Sequence, residues 1–246
     1  MYKNKRLLAI IPARGGSKGI KLKNLKKINK ISLIGHVSKI VKKIKFIDLS
    51  LVSTDHPKII KEAKKYNLKI LFRRPKKISG DKIGDFSVIK HSLLNAEKKT
   101  NLKYDIILFL QPTSPLREVK DIKKVLEIIV KKKYDSVWSV SPINFKNHYK
   151  KQLLIKNNKL KFAYPKGDKI LARQQLEQTY YRNGAVYALT RNCILKKGRL
   201  LTNNSGCHIV RTEQISIDNK EDIKLANQFF KKIKNENCKN YQSRKT

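Results

Sequence analysis

The sequence predicts an α/β fold with a mainly parallel sheet flanked by helices. Along most of its 246 residues, short strand-like segments alternate with amphipathic segments at helical spacing. Such alternation produces a parallel sheet with right-handed crossovers. One strand candidate, DIILFL at 105–110, is apolar throughout, as expected of a strand covered on both faces. We expect one domain over 1–234 and a polar, disordered tail over 235–246.

The first half of the chain supplies three strands and three helices. An apolar run at 7–11 is the first strand, and apolar residues at helical spacing follow over 34–44. The second strand, 47–52, leads to Asp55, the expected N-cap of a helix that begins with Pro57 and ends near residue 66. The other predicted elements of this half are a strand at 68–72 and a helix at 87–98.

The second half continues the alternation and then breaks it. The apolar strand is followed by an amphipathic helix at 120–132 and a strand at 136–140. Residues 143–180 are predicted to be an insertion, with a β-hairpin that turns at Asn157 and Asn158. The last predicted elements are a strand at 184–190 and a helix at 220–232.

Lysine and arginine give the chain a formal net charge of +40. Such a charge favours anionic partners such as nucleic acid, acidic lipid or a polyphosphate. Lysine, isoleucine and asparagine are abundant throughout, and all three have A/T-rich codons, which explains much of the excess of lysine. The 40% content of hydrophobic residues is not that of a disordered chain. Because no nucleic-acid-binding signature accompanies the charge, we expect no specific nucleic-acid partner.

The sequence shows neither a secretory signal nor a membrane span. Its N-terminal apolar run is short, and no segment approaches the roughly 20 apolar residues of a span. The three cysteines, Cys193, Cys207 and Cys238, are odd in number and lack metal-ligand spacing, which is typical of reduced thiols. We therefore expect a cytoplasmic protein without a membrane partner.

The stretch IPARGGSKGIKLKN at 11–24 follows the first strand. Glycines let a backbone approach phosphate oxygens, and Arg14, Lys18 and Lys23 can neutralise a polyphosphate at the carboxyl end of that strand. The Walker A and dinucleotide-binding patterns do not fit, because Lys18 precedes Gly19 and no G-x-G-x-x-G run occurs. Spacing alone therefore leaves open both a phosphate-binding turn and a tight turn with solvated lysines.

Five further motifs follow this glycine turn in order. They are VSTD at 52–55, RRP at 73–75 with Asp81 beyond it, LQPTSPLR at 110–117, RNGAVY at 182–187 and SIDNKED at 216–222. Together with the first motif, they resemble the CMP-sialic acid synthetases (N-acylneuraminate cytidylyltransferases) over about residues 7–230.

The resemblance implies a Rossmann-like nucleotidyltransferase fold in which the 143–180 insertion forms a homodimer. It implies transfer of CMP from CTP to the anomeric hydroxyl of a nine-carbon acidic sugar, with release of pyrophosphate and a requirement for Mg²⁺. The first motif reads K-G-I, whereas pseudaminic acid synthetases have K-R-I-P, which favours neuraminic or legionaminic acid. The alternatives are a pseudaminic acid or 3-deoxy-manno-octulosonate cytidylyltransferase, and a non-enzymatic basic nucleic-acid-binding protein.

The resemblance also assigns nucleotide-binding residues. These are Ala13, Arg14, Ser17, Lys18, Lys23, Asn24, Arg74 and Asp81. Ala13 is expected to offer its backbone to the base, and Lys23 and Arg14 are expected to stabilise charge at the phosphates during the reaction. Lys21 lies outside the matched basic positions.

The expected sugar-binding residues are Gln111, Arg117, Arg173, Gln174, Asn183 and Tyr187. Gln111 directly follows the apolar strand, so its amide should lie at the carboxyl end of that strand. Arg117 either pairs with an anion or caps its own loop, and Tyr187 is either a sugar contact or part of the core. The resemblance implies that Arg173 reaches the sugar site of the other subunit in the dimer.

The sequence departs from the family pattern at three places. Relatives commonly carry D-I-D where 216–218 reads S-I-D, so Asp218 is the one aspartate expected to bind the metal and take part in catalysis. Weaker metal binding and lost activity both remain open, and Asp222 is expected to compensate the charge of a helix N-terminus. RQQLE at 173–177 replaces R-Q-D-L-P, and 84–85 reads Gly-Asp where relatives often carry serines.

Overall fold

The computed structural model describes residues 1–242, with side chains described to residue 233. The strands are β1 (Leu7–Pro12), β2 (Lys27–Ile28), β3 (Ile31–Ser32), β4 (Leu49–Ser53), β5 (Ile106–Phe109), β6 (Ser136–Pro142), β7 (Leu153–Lys156), β8 (Lys159–Phe162), β9 (Tyr180–Thr190) and β10 (Ser205–Ile209). The helices are α1 (Leu33–Lys42), α2 (Pro57–Lys65), α3 (Asp85–Thr100), α4 (Val119–Lys131), α5 (Arg191–Leu195) and α6 (Lys220–Gln242).

Six of these strands form one sheet in the order β10-β6-β9-β5-β1-β4. Strand β1 pairs in parallel with β4 and β5, and β6 pairs in parallel with β10. Strand β9 lies between β5 and β6 and is antiparallel to both. The prediction of a mainly parallel sheet is confirmed. The exception, β9, follows the insertion instead of a helical crossover, and only a crossover of that kind returns a strand in parallel.

Helices cover both faces of this sheet. The residues of β1 alternate, so that Ala9 and Ile11 pack with α1 and α4 on one face, whereas Leu8 and Ile10 pack with α3 and α5 on the other. All four residues of β5 are buried, which confirms a strand covered on both faces. The carboxyl ends of β1, β4 and β5 therefore lie together at one edge of the sheet.

Two local predictions near β4 are wrong. Residues 68–72 form no strand but a single parallel bridge between Leu51 and Lys69. The chain bends after this bridge, and the backbone amide of Arg74 donates to the Thr54 carbonyl at 2.8 Å. The N-cap of α2 is His56, not Asp55. The Asp55 carboxylate instead accepts a hydrogen bond from the Gly15 amide at 2.8 Å, and so ties the glycine turn to the end of β4.

Strand β10 and helix α5 went unpredicted, as did the two-residue strands β2 and β3. Strand β10 carries Gly206 and lies at the edge of the sheet, and α5 spans only five residues, so neither has enough periodic apolar residues to mark it. Among the described side chains, Cys193 and Cys207 are free thiols; the side chain of Cys238 lies outside the described residues.

The predicted hairpin in the insertion is present. Strands β7 and β8 pair antiparallel, and Asn157 and Asn158 turn between them with φ of 49° and 58°. Every residue of both strands is exposed. No helix over residues 1–242 is long and apolar enough to cross a membrane.

Helix α6 is longer than the sequence suggested. It was expected to end at residue 232, and its backbone continues to Gln242, because residues 233–242 contain no glycine or proline to stop a helix. The expected boundary between the domain and a polar tail, at residue 235, falls inside this helix. Residues 243–246 lie outside the described residues.

Candidate active site

A cavity of about 480 Å³ opens at the carboxyl ends of β1 and β5. Most of its lining residues belong to the predicted motifs or lie beside them: Pro12, Arg14, Ser17, Lys18, Gly19, Lys23, Asn24, Arg74, Asp81, Gln111, Pro112, Thr113 and Asp218. The structure thus brings together seven of the eight predicted nucleotide-binding residues. The eighth, Ala13, is fully buried, and its amide donates to the Ser53 carbonyl at 2.9 Å.

The glycine turn is held by its own backbone. The Gly15 amide donates to Asp55, and the Ser17 amide donates to the Gly15 carbonyl at 3.1 Å, so these two N–H groups already have partners. The Asn24 amide nitrogen donates to the Arg14 carbonyl at 3.2 Å. Basic side chains, more than a nest of free amides, are therefore the groups of this turn that remain available to an anion.

Two of those basic side chains pair with one carboxylate. Arg14 Nη1 lies 2.5 Å from Asp81 Oδ1, and Lys18 Nζ lies 3.2 Å from Asp81 Oδ2. The hydrogen bonds from Arg14 and then Lys18 hold the pKa of Asp81 below its usual value. Asp81 thus pairs with two of the basic side chains that line the cavity.

A second pair lies where the turn meets the segment before α6. Lys23 Nζ lies 2.8 Å from Asp218 Oδ1, and this contact with Lys23 lowers the pKa of Asp218. Ser216 Oγ donates to Asp218 Oδ2 at 3.2 Å. A Cβ added to Gly19 would lie 2.5 Å from the Asp218 carbonyl oxygen, so only glycine allows the turn to approach this closely.

Asp222 supports this pair from α6. Its carboxylate accepts hydrogen bonds from the amides of Asp218 at 2.7 Å and Asn219 at 2.9 Å, as expected of an acidic residue at a helix N-terminus. Among the described residues, no group of three or more His, Cys, Asp or Glu side chains is placed to hold a metal ion. The Asp218 carboxylate and the Ser216 hydroxyl are nonetheless oxygen donors of the kind that a hard divalent cation takes.

Three further polar side chains, Arg74, Gln111 and Asp85, line the same cavity. Arg74 is 4% exposed and donates from Nε and Nη2 to the Ser53 hydroxyl and carbonyl, at 3.0 and 2.5 Å. Burial lowers its pKa to about 10, so it stays charged at neutral pH. Gln111 Nε2 donates to Asp85 Oδ2 at 3.2 Å. Burial raises the pKa of Asp85, against the nearby charges of Arg182 and Arg74.

Gln111 is positioned by β9. A Cβ added to Gly184 would lie 2.6 Å from Gln111 Oε1, and Gly184 has φ of 68°, so glycine is required for this packing. Sequence reasoning placed Gln111 correctly at the end of β5 but missed Asp85 as a lining residue. The departure from the serine-containing pattern at 84–85 was the available signal.

Arg117 does not line this cavity. It is 3% exposed, and its guanidinium donates to the carbonyls of Gln111 at 2.5 Å, Gly184 at 3.3 Å and Ala185. Of the two roles that the sequence left open, the structure places Arg117 as a buried support that joins the end of β5 to β9.

Asn183 and Tyr187 are also buried. Asn183 Oδ1 accepts from Ser139 Oγ at 2.6 Å and from the Ala185 amide at 3.0 Å, and its Nδ2 donates to Ser141 Oγ at 3.0 Å. The Tyr187 ring lies 4.8 Å from that of Trp138, and burial raises the pKa of its hydroxyl. Neither residue lines the cavity beside the glycine turn.

Arg173 and Gln174 lie in a short 3-10 turn of the insertion, away from that cavity. The Arg173 guanidinium lies 4.3 Å from the centre of the Phe145 ring and lines a different cavity. Gln175 Oε1 accepts hydrogen bonds from the amides of Leu171 and Ala172, both at 2.8 Å, so this departure from the family pattern still caps the turn.

A family profile described as cytidylyltransferase matches residues 8–245. The chain belongs to the cytidylyltransferase family. It is 28% identical to the CMP-N,N'-diacetyllegionaminic acid synthase of Campylobacter jejuni over 96% of this chain and 99% of the relative. It is 27% identical to the N-acylneuraminate cytidylyltransferase of Escherichia coli over 90% of this chain and 51% of that relative. These likenesses confirm the resemblance drawn from the motifs.

Comparison with solved structures leads to the same family of folds. A solved structure of CMP:2-keto-3-deoxy-manno-octonic acid synthetase, complexed with CTP, superposes with a TM-score of 0.68 at 15% identity, over 92% of this cytidylyltransferase and 99% of that chain. The predicted nucleotidyltransferase fold, with helices on both sides of a mainly parallel sheet, is thereby confirmed.

Proposed function

We propose that this cytidylyltransferase transfers CMP from CTP to the anomeric hydroxyl of a neuraminic- or legionaminic-type nonulosonic acid. The observation that carries the proposal is one cavity that contains the basic side chains of the glycine turn together with Asp218, Arg74 and Gln111. Such a cavity suits a ligand with a polyanionic part and a polar, uncharged part.

In this reaction the anomeric oxygen forms a bond to the α-phosphorus while the bond from that phosphorus to the bridging oxygen of pyrophosphate breaks. The hydroxyl loses its proton to bulk water, and pyrophosphate leaves with the bridging oxygen. Arg14 and Lys18 bind the triphosphate after leaving Asp81, and Lys23 neutralises charge at the α-phosphate. Ser17 and Asn24 line the same cavity and complete the phosphate contacts. The expected contact from the Ala13 backbone to the base stays a prediction.

The metal in this proposal is Mg²⁺. Asp218 would hold it, with Ser216 as a neighbouring oxygen donor and water and triphosphate oxygens in the remaining positions. When bound, the ion withdraws charge from the phosphate oxygens. Lys23 lies at the same carboxylate and so links the metal position to the α-phosphate.

The sugar site combines residues from two copies of the chain. Gln111 faces the cavity and would hydrogen-bond the sugar, whereas Arg173 and Gln174 lie too far along the insertion to line the cavity of their own copy. The insertion exposes large apolar side chains, including Ile155 at 74% and Leu171 at 89%. A homodimer that buries them would bring Arg173 to the sugar site of the second copy.

Arg117 supports the sugar site through the backbone in this proposal. The guanidinium of Arg117 holds the carbonyl of Gln111, and Asn183 fixes the start of the buried part of β9. A direct contact from Asn183 or Tyr187 to the sugar stays a prediction. We also propose that the protein is located in the cytoplasm, where CTP is made.

The proposal is tested by pyrophosphate release from CTP and Mg²⁺. N-acetylneuraminic, legionaminic, pseudaminic and 3-deoxy-manno-octulosonic acids are offered in parallel, to wild type and to Lys23→Ala. Lys21→Ala is the matched control, because Lys21 lies in the same turn but is exposed and does not line the cavity. We expect release with neuraminic or legionaminic acid, retained in the control and lost in Lys23→Ala. Folded wild-type protein that binds CTP but releases no pyrophosphate with any acid would contradict the proposal.

A further inference from the structure

Asp85 places a carboxylate in the lining of the cavity, beside Gln111 and near Arg74. It is the first residue of α3, it lines the cavity, and it accepts a hydrogen bond from Gln111 Nε2 at 3.2 Å. Among the described residues, this is the one hydrogen bond to its carboxylate oxygens. One carboxylate oxygen therefore remains able to accept from a ligand.

Arg74 presents a donor in the same cavity. Its Nε and Nη2 groups are fixed on Ser53, and within the described part of the chain its Nη1 has no hydrogen-bond acceptor. Arg74 is 4% exposed yet lines the cavity, so a ligand that enters the cavity can reach this side chain. A buried guanidinium that lacks part of its hydrogen bonding favours a ligand acceptor there.

Aliphatic side chains also line the cavity. Ile78, Ile83 and Val88 belong to the same lining as Arg74 and Asp85. A flat ring with polar edges suits such a surface, since its faces contact aliphatic side chains and its edges meet the charged groups. With the triphosphate on Arg14, Lys18 and Lys23, the base of the nucleotide extends to these side chains.

We propose that Asp85 determines the choice of base, by accepting a hydrogen bond from the 4-amino group of cytosine while Arg74 donates to the ring acceptors of the same edge. Cytosine offers a donor at position 4 and acceptors at N3 and O2. Uracil has an oxygen at position 4 and an N–H at position 3. Its O4 faces the carboxylate and its N3–H faces the guanidinium, and both contacts are repulsive.

The inference rests on the proposed function, because it takes CTP as the nucleotide. A role in reading the base explains why the chain keeps the Asp85 carboxylate at a buried position, where burial raises its pKa. An acidic residue that only compensated the N-terminus of α3 would do so at an exposed position without that desolvation. The hydrogen bond to Gln111 also connects the proposed base contact to the proposed sugar contact.

The test measures binding of three nucleotides by isothermal titration: CTP, UTP, and the pyrimidin-2-one triphosphate that lacks the 4-amino group. Wild type, Asp85→Asn and Asp85→Ala are compared. Glu127→Gln is the matched control, since it removes one negative charge from a helix that does not line the cavity. For wild type we expect CTP to bind at least about 10-fold more tightly than the other two, as for a hydrogen bond to a charged group.

In Asp85→Ala we expect CTP and the pyrimidin-2-one analogue to bind equally, because the partner of the amino group is gone. In Asp85→Asn the preference for CTP over UTP should fall about 10-fold, since an amide can also donate to O4. Wild-type binding of CTP with an unchanged preference in both variants would overturn the inference and leave the proposed function intact. Failure of wild type to bind CTP would overturn both. If the variants do not fold, equal binding of CTP and the analogue by wild type still refutes the role of Asp85.

Discussion

Replacing Arg117 with methionine removes a buried guanidinium but keeps an unbranched side chain that fills part of its space. The guanidinium donates to the carbonyls of Gln111, Gly184 and Ala185. Each hydrogen bond to a charged group contributes about 1.5–3 kcal/mol, but carbonyls that relax or bind water recover part of that. We therefore expect Arg117→Met to lower the free energy of unfolding by about 3–5 kcal/mol.

Urea unfolding followed by circular dichroism measures this loss, and the KM values for CTP and the sugar are measured on the folded variant. Arg211→Met is the control, because Arg211 is exposed and does not line the cavity, and it should change the unfolding free energy by less than about 0.5 kcal/mol. Arg117→Lys keeps the charge without the planar fork and should give an intermediate loss. If Arg117→Met instead unfolds within about 1 kcal/mol of wild type and loses sugar affinity, Arg117 binds the sugar directly and the reasoning fails.

Four other predictions concern the cavity, the far end of the sheet and the net charge. Asp81→Asn should lower the KM for CTP about two- to fivefold, because it frees Arg14 and Lys18; a higher KM would show that Asp81 binds the nucleotide. Gly19→Ala should lower kcat about 10- to 100-fold by displacing Asp218, whereas Gly84→Ala, whose added Cβ meets nothing within 4 Å, should not. Asp135→Asn should cost about 1–3 kcal/mol of unfolding free energy at pH 7, since Asp135 accepts from Lys197 and Thr202, both at 2.7 Å. The hydrogen bond from Lys197 lowers the pKa of Asp135. This stabilisation is therefore fully present above pH 3.8, the usual pKa of an aspartate, and is lost as the pH falls through the lower pKa of the folded state. Urea unfolding at pH 7 and at a pH below 3.8 tests the trend. Turnover of CTP should persist at about 0.15 M salt while any nucleic-acid binding weakens steeply; the reverse pattern in a salt titration would favour the nucleic-acid alternative.

The sheet and the glycine turn were predictable because their signals are local. The apolar run that forms β5 ends directly at Gln111, and the basic residues of the turn follow β1, so chain order alone places both at one edge of a parallel sheet. The motifs then grouped Lys23 with Asp218, which are 195 positions apart and form a 2.8 Å contact.

Side-chain direction was less predictable, because burial depends on contacts between distant segments. Arg117 and Asn183 belong to motifs that carry site residues, yet both side chains are buried against the backbone or serines of β6 and β9. Asp85 shows the opposite case. It looked like a local departure on a loop, and α3 begins at that residue and brings its carboxylate into the cavity.

The central claim is tested most directly by ³¹P NMR of one reaction mixture that contains CTP, Mg²⁺, the sugar acid and the enzyme. The account predicts that the CTP resonances decline while a CMP–sugar phosphodiester and pyrophosphate appear in equal amounts. No such phosphodiester should appear with Lys23→Ala, and Lys21→Ala should behave as wild type does. Loss of CTP to free CMP or CDP without a phosphodiester, or no loss of CTP with any of the acids, would contradict transfer to the sugar.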